Sequence, residues 1–385
     1  MDSNDVPPVT PPPVTPPPFN APPPIMTAPA SAHPRKSRGW MIVSIILIVL
    51  LVLSLFGNFT QFLGNLMPMK MSHHRYGEGP QFDETVVEDN NADDKFAVIE
   101  ISGIITSGAT DQGGMTMVEK VKEQLKRARE DDSVLAVVLK MDSPGGEVLA
   151  SDEIFRLVRE FQEPKSGKPG KPVITSMGNL AASGGYYISA ASRWIVANEM
   201  TITGSIGVIL HSYNYRGLMD KIGLAPNVYK SGAHKDMLSG ERHPEEIPAD
   251  EREMVQALID ETYTRFKAVV EEGRGEAHGK NKAEGRALVN DWRSYADGRV
   301  LSGRKAMDLG FVDEVGNFDK AVERAKKIAG VRKVNLIEYK VRYDLSDFFR
   351  MFGRSEPASI KVDLGMDLPK IEAGHLYFLS PAFLR

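Results

Sequence analysis

Ser183 stands in the run Asn179-Leu-Ala-Ala-Ser183-Gly-Gly-Tyr-Tyr-Ile188. Small residues on both sides let the backbone turn sharply where a strand meets a helix, and a serine on such a turn projects its hydroxyl. Gly184 and Gly185 leave backbone N–H groups open beside it. A nucleophile and an oxyanion hole need this pairing of a hydroxyl with unshielded amides. A serine hydroxyl is inert until a base takes its proton. Further along, Lys230-Ser-Gly-Ala-His-Lys235-Asp236 forms a polar, glycine-containing loop with two lysines. The chain therefore reads as a Ser–Lys hydrolase, with Lys235 or Lys230 as the base; spacing alone does not separate them. Near an ordinary value of about 10.4, only about 0.1% of a lysine is neutral at pH 7.4, so the base needs burial to lower its pKa, and Asp236 facing the amine would oppose that.

A second glycine corner, Asp142-Ser-Pro-Gly145-Gly146, follows the preceding core strand. Ligands of open α/β sheets gather at the carboxyl ends of strands, so both corners are expected to face one site. One N–H from Gly145 or Gly146 and one from Gly184 would hold a tetrahedral oxyanion. The elements that must position these corners are legible. Ala97–Ile101 reads as a strand, and Val118, Val121, Leu125 and Ala128 recur at helical spacing. Val134–Leu139 is a continuous apolar run, as in a parallel strand buried on both faces. Ile154, Leu157, Val158 and Phe161 mark a helix, and Val173–Met177 a strand that leads into the serine turn. This alternation predicts a layered α/β fold. Trp194–Ala197 and Ile206–Leu210 read as short strands. Asp250-Glu-Arg-Glu253 reads as a capping box opening a long helix through Glu272, with Met254, Leu258, Thr262, Phe266 and Val269 inward. Ser302 reads as the cap of a helix ending at Gly310.

Five segments together resemble the signal peptide peptidase A (protease IV) family. They are Asp142-Ser-Pro-Gly-Gly146, Ala182-Ser-Gly-Gly-Tyr-Tyr187, Thr203-Gly-Ser-Ile-Gly207, Lys230-Ser-Gly-Ala-His-Lys-Asp236 and Ala296-Asp-Gly-Arg-Val-Leu-Ser-Gly-Arg304. The resemblance runs in family order over roughly residues 96–330 and implies a membrane-bound Ser–Lys peptidase of Clp/crotonase-like fold. It implies Ser183 as nucleophile, Lys235 as general base and Ser205 as the hydroxyl that holds the lysine amine. Gly146 and Gly184 would form the oxyanion hole. The implied substrates are peptides, released signal peptides among them, and the implied assembly is a homo-oligomeric ring. The proline-rich tail before the anchor departs from the short one usual in the family.

Other chemistries have less behind them. A Ser–His–Asp triad would need His234 or His211, and the chain's eight histidines are otherwise scattered. His73-His74 has no third ligand at a recognisable spacing, and no Gly-Lys-Ser/Thr follows Ser143-Pro-Gly-Gly146, so neither a metal site nor a phosphate loop is expected. No cofactor is expected. A catalytically inactive membrane scaffold or peptide-binding domain of the same fold is the alternative function; acyl-thioester chemistry at the glycine corners is a third.

The 385 residues are 42% hydrophobic and 25% charged with a net charge of −4, which suits one large globular domain plus appendages and gives no basic excess for nucleic acid. Cysteine is absent, so disulfides and thiolate metal sites are excluded. Residues 40–59 are almost wholly apolar, about the length of one bilayer core, and are expected to form a transmembrane helix in contact with lipid. Arg35, Lys36 and Arg38 precede it, so the N-terminus is expected in the cytoplasm of a bacterial cell, with the span in the inner membrane and the catalytic domain outside. A cleaved signal peptide is the alternative, but its apolar region is usually shorter and no small-x-small site follows. Residues 1–39, with about half of the 25 prolines, read as a disordered cytoplasmic tail. Residues 60–95 read as a linker, 96–335 as the peptidase domain and 336–385 as a C-terminal extension.

Overall fold

The structure, a computed structural model, describes residues 43–54, 82–109, 114–282, 284–341 and 376–379. It divides into two units, Met1–Tyr76 and Gly77–Arg385. In the first, residues 43–54 form a helix (α1) that is apolar apart from Ser44 and Ser54. Among the described residues no helix is long and apolar enough to cross a membrane. The flanks of the span expected at 40–59, and the whole of the tail at 1–39, lie outside them.

The second unit carries strands β1 (Phe82–Glu88), β2 (Lys95–Ser102), β3 (Val134–Ser143), β4 (Gly145–Glu147), β5 (Val173–Ala182), β6 (Trp194–Ala197), β7 (Ile202–Gly204), β8 (Val300–Ser302), β9 (Glu314–Val315), β10 (Asn335–Val341) and β11 (Tyr377–Leu379). Its helices are α2 (Met117–Glu130), α3 (Val148–Phe161), α4 (Gly184–Ser189), α5 (Arg216–Lys221), α6 (Ala249–Lys280), α7 (Gly303–Asp308) and α8 (Phe318–Ala329). Nine strands make one sheet in the order β1-β10-β2-β3-β5-β6-β9, with β7 beside β5 and β8 beside β7. Among the described residues of this sheet only the β1–β10 and β7–β8 pairs are antiparallel, and β4 with β11 makes a separate two-stranded antiparallel sheet. This is the α/β class expected from the alternating helical and apolar segments.

The continuous apolar runs are explained by two cores, one on each face of the sheet. Ala97, Ile99, Ile101, Val137, Leu139 and Met141 point to a large core shared with α2, α3, α4 and α6. Phe96, Val98, Ala136, Val138, Ile174 and Val196 point the other way, onto Ala321, Val322 and Ala325 of α8. Successive side chains of a strand face opposite sides, so a strand covered on both must be apolar throughout. Each fully buried Val, Leu, Ile or Phe contributes about 1.5–3 kcal/mol, which makes β2, β3 and β5 a rigid platform. Helix α2 starts where Thr116 accepts the Glu119 N–H while the Glu119 carboxylate accepts the Thr116 N–H. Ser302 caps α7, accepting the Lys305 N–H, and Gly310 follows the helix with φ +80°.

Four expectations are corrected. Residues 82–88, assigned to the linker, form β1, because they pair with β10 from Phe82 to Glu88, with a register shift between Val86 and Glu88. Strand β10 itself is part of the main sheet, although residues from 336 onward were assigned to the extension. Ile206–Leu210 is not a strand: Gly204 and Ser205 take φ +76° and +51° and turn the chain out of the sheet after β7, leaving one isolated bridge at Ile209. Helix α6 begins at Ala249 after Pro248 with no side-chain cap and runs past Glu272 to Lys280. Phe266 and Val269 are buried as expected, whereas Met254 and Leu258 are 43% and 47% exposed because the first turns of α6 have no core against them.

Candidate active site

Three corners meet at the carboxyl ends of β3, β5 and β7. The first is fixed by Ser143, whose hydroxyl donates to Gly103 O at 2.6 Å and accepts the Gly145 N–H at 3.1 Å. Asp142 braces the second strand by accepting the Leu180 N–H at 3.0 Å. Beyond the turn, Ile105 lies alongside β4. Its N–H donates to Gly145 O at 2.9 Å and its carbonyl accepts the Glu147 N–H at 2.8 Å. Gly146 cannot be replaced here without rebuilding, since a Cβ would sit 1.9 Å from Ile105 O.

Strand β5 delivers Ser183, which is buried with φ +54° and ψ −118°. That conformation is rare for a residue with a Cβ and is kept only where the surroundings over-determine it. Here they do: the Ser183 N–H donates to Gly204 O at 2.8 Å and its carbonyl accepts the Tyr187 N–H at 2.8 Å, opening α4. Gly184 and Gly146 approach closely, a Cβ on Gly184 falling 3.2 Å from Gly146 N and 2.6 Å from Ser151 Oγ. The two expected oxyanion donors are thus neighbours on either side of the serine turn.

The register pairs Ala182 with Gly204, so Ser183 and Ser205 are the next residues on two adjacent parallel strands. Ser205 is buried, and its N–H donates to Arg299 O at 2.8 Å. The Ala296–Arg304 segment therefore works through its backbone: Arg299 holds Ser205 and Val300–Ser302 pairs with β7. The sequence gives no hint that Arg299 would act through a carbonyl.

The lysine loop lies apart from these contacts. Lys230 is engaged, donating to Asp236 Oδ1 at 2.6 Å and to Ala233 O at 3.0 Å. Asp236 also faces Arg242 at 3.7 Å, and Arg242 pairs with Glu251 of α6. Lys235 is exposed and lines a cavity of about 620 Å³ with His211, Tyr213, Tyr215, Val228 and Met237. Its amine makes no hydrogen bond to another described residue. His234 sits between Asp250 and Glu251, 3.7 Å from each, and neither it nor His211 hydrogen-bonds Ser183. Among the described residues no three His, Asp or Glu side chains are grouped to hold a metal ion.

The family model for peptidase family S49 matches residues 165–332. A protein of Enterococcus faecium bearing the name signal peptide peptidase SppA is 35% identical over 69% of this chain and 72% of its own length. A protein of Synechocystis named as a protease is 38% identical over 62% of this chain and 75% of its own. Protease 4 of Haemophilus influenzae is 33% identical over 66% of this chain and 38% of its own. The chain belongs to peptidase family S49, the family of signal peptide peptidase SppA, and is a peptidase.

Proposed function

We propose that the protein is a membrane-anchored serine endopeptidase of Clp/crotonase-like fold. In this reading Ser183 attacks the peptide carbonyl, Lys235 takes the serine proton and passes it to the leaving amine, and water then frees the acyl group from Ser183. The N–H groups of Gly146 and Gly184 hold the oxyanion, each such donor being worth about 3–4 kcal/mol of transition-state stabilisation. Ser205 orients the lysine. The observation that carries the reading is the strained, buried Ser183 between two close glycine amides and beside Ser205.

Lys230 is tied to Asp236, which favours Lys235 as the amine free to act. The segment bearing Lys235 also exposes Tyr213, Ile222, Leu224 and Tyr229, apolar surface that a second copy would cover. The lysine is accordingly assigned to reach Ser183 when a homo-oligomer forms. Substrates are apolar peptides such as cleaved signal peptides. Residues 40–59 anchor the chain in the bacterial inner membrane, with the peptidase domain outside the cytoplasm. A serine-directed fluorophosphonate should phosphonylate the purified full chain at Ser183, with loss of fluoride, mapped by peptide mass. Labelling elsewhere, or hydrolysis retained in Ser183→Ala, overturns the assignment.

A further inference from the structure

The corner at Gly145 and Gly146 lies beyond the main sheet. Strand β4 is three residues long and belongs to a sheet of its own, so its placement beside Ser183 depends on what else grips it. Ile105 supplies one such grip. It is fully buried and bridges to Gly146. Its N–H donates to Gly145 O and its carbonyl accepts the Glu147 N–H, one bond on either side of Gly146. The Gly146 amide is therefore only as well placed as Ile105 is.

Ile105 is in turn held from both ends. Upstream, the Gly103 N–H donates to Asp142 O at 3.0 Å, and Gly103 O accepts the Ser143 hydroxyl at 2.6 Å. Downstream, the carboxylate of Glu147 accepts the Thr106 hydroxyl at 3.0 Å, the Ser107 N–H at 2.8 Å and the Ser107 hydroxyl. Ser143 and Glu147 thus bracket the two glycines, and both reach across to the same neighbouring segment. Glu147 is only 8% exposed, and a buried carboxylate is costly unless donors satisfy it. Three donors converge on this one.

Glu147 is also the N-cap of α3, with extended backbone. Polar side chains at that position ordinarily accept an N–H of the first helical turn. Glu147 makes no such bond and binds Thr106 and Ser107 instead. Its main chain carries the second half of the arrangement. Glu147 O accepts the Ser151 hydroxyl at 2.8 Å, and Ser151 Oγ lies 2.6 Å from where a Cβ on Gly184 would stand. One residue thus reaches Gly146 through Ile105 and Gly184 through Ser151.

We infer that Glu147 is a positioning residue of the oxyanion hole. Its carboxylate sets the Gly146 amide through Ile105, and its carbonyl backs the Gly184 amide through Ser151. The inference rests on the assignment of Ser183 and the glycine amides as the reacting centre. Donors aimed at the oxyanion act in the transition state more than on the bound peptide. Loss of the carboxylate therefore falls on kcat rather than on KM.

The test compares Glu147→Ala, Glu147→Gln and the double variant Thr106→Val/Ser107→Ala in the full chain. Loss of a whole oxyanion donor costs about 100–1000-fold in kcat, so its displacement in Glu147→Ala should cost at least about tenfold, with KM within about twofold. Phosphonylation of Ser183 by the fluorophosphonate should slow in step, because the phosphoryl oxygen occupies the same hole. Gln keeps an oxygen for the two Ser107 donors and offers an N–H to the Thr106 hydroxyl, so Glu147→Gln should recover most of both rates. Thr106→Val/Ser107→Ala removes the hydroxyl bonds from the other side. It should show the same losses, and combining it with Glu147→Ala should add little. Amide exchange read by mass spectrometry follows the corner without any chemistry. It should speed up in residues 105–107 and 145–147 of Glu147→Ala while β2 and β3 stay protected. A raised KM at unchanged kcat, or exchange no faster than in the parent, overturns the inference. Wild-type kcat in the double variant overturns it even if Glu147→Ala does not fold. If the unaltered chain is not labelled at Ser183, the nucleophile assignment fails, and the exchange result alone decides whether Glu147 holds this corner.

Discussion

The amide of Ser183 donates to the carbonyl of Gly204 at 2.8 Å, so the residue before Ser205 holds the nucleophile's backbone in place. The bond closes the gap between β5 and β7 at the point where both strands end, and it brings two serine hydroxyls to adjacent corners. Both serines have positive φ, so each corner stores strain that the neighbouring corner stabilises. The backbone coupling is independent of either side chain, and a hydroxyl can be removed without disturbing it.

Ser205→Ala should therefore leave the fold intact and lower turnover by about 10–1000-fold, as misplacing a general base does. Steady-state kinetics against a chromogenic peptide, with urea unfolding as the stability control, checks this. Wild-type turnover would show that the Ser205 hydroxyl has no part in the chemistry.

Ser183→Ala and Lys235→Ala should each be inactive alone, and their mixture should recover activity if neighbouring copies complete each other's sites. Random assortment in a cyclic homo-oligomer leaves about a quarter of the sites with both groups. Co-refolded proteins assayed against each parent give the answer. A mixture as inactive as its components would place serine and lysine of one site on one chain.

Much of this arrangement was legible from residue types. The buried strands announced themselves because Val134–Leu139 and its neighbours must be apolar on both faces, and the glycine corners because close backbone approach tolerates no Cβ. Three features were hidden for definite reasons. Strand β1 carries acidic residues on exposed faces, with Val86 and Val87 themselves more than half exposed, so its composition reads as linker. The outer half of α6 shows apolar periodicity without a core, which made Met254 and Leu258 look inward. The roles of Ile105, Gly204 and Arg299 are played by carbonyl and amide groups, which every residue has and no side-chain pattern reports.

Acid should loosen the lysine loop. Asp236 is held below the ordinary carboxylate range first by its hydrogen bond to Lys230, and Glu251 first by its hydrogen bond to Arg242. A carboxyl whose folded value lies below its unfolded one stabilises above the unfolded value, near 4, and loses that contribution as pH falls through the folded value. The chain has no cysteine, so Ser231→Cys gives a single labelling site. Fluorescence anisotropy there should fall below about pH 4, ahead of the loss of far-UV circular dichroism, and Glu251→Gln should already show the lower value at pH 7. Coincident transitions would mean that the loop is no weaker than the domain.

The pair of Arg274 on α6 with Asp313 is wholly buried, both side chains being 0% exposed. Asp313 also accepts the Ile195 N–H at 2.9 Å and the Arg286 N–H at 3.2 Å, so one carboxylate ties β6 to α6 and to the chain at Arg286. Removing the cation leaves a buried charge without its partner, which costs about 3–5 kcal/mol. Arg274→Ala should lower unfolding free energy by that amount in urea. Asp313→Leu should be comparably damaging, because it strands both the guanidinium and two backbone donors. Tyr186 adds a reason to expect local effects: its hydroxyl donates to Phe311 O at 3.0 Å, and its ring meets that of Phe311 edge-on at 5.7 Å. That contact joins α4, which opens at Ser183, to the chain leading into Asp313. Loss of Arg274 should therefore raise amide exchange in Gly184–Ser189 before it unfolds β2 and β3. Uniform exchange across the unit, or a stability loss below about 1 kcal/mol against the expected range, would show that the ion pair does not support the serine helix.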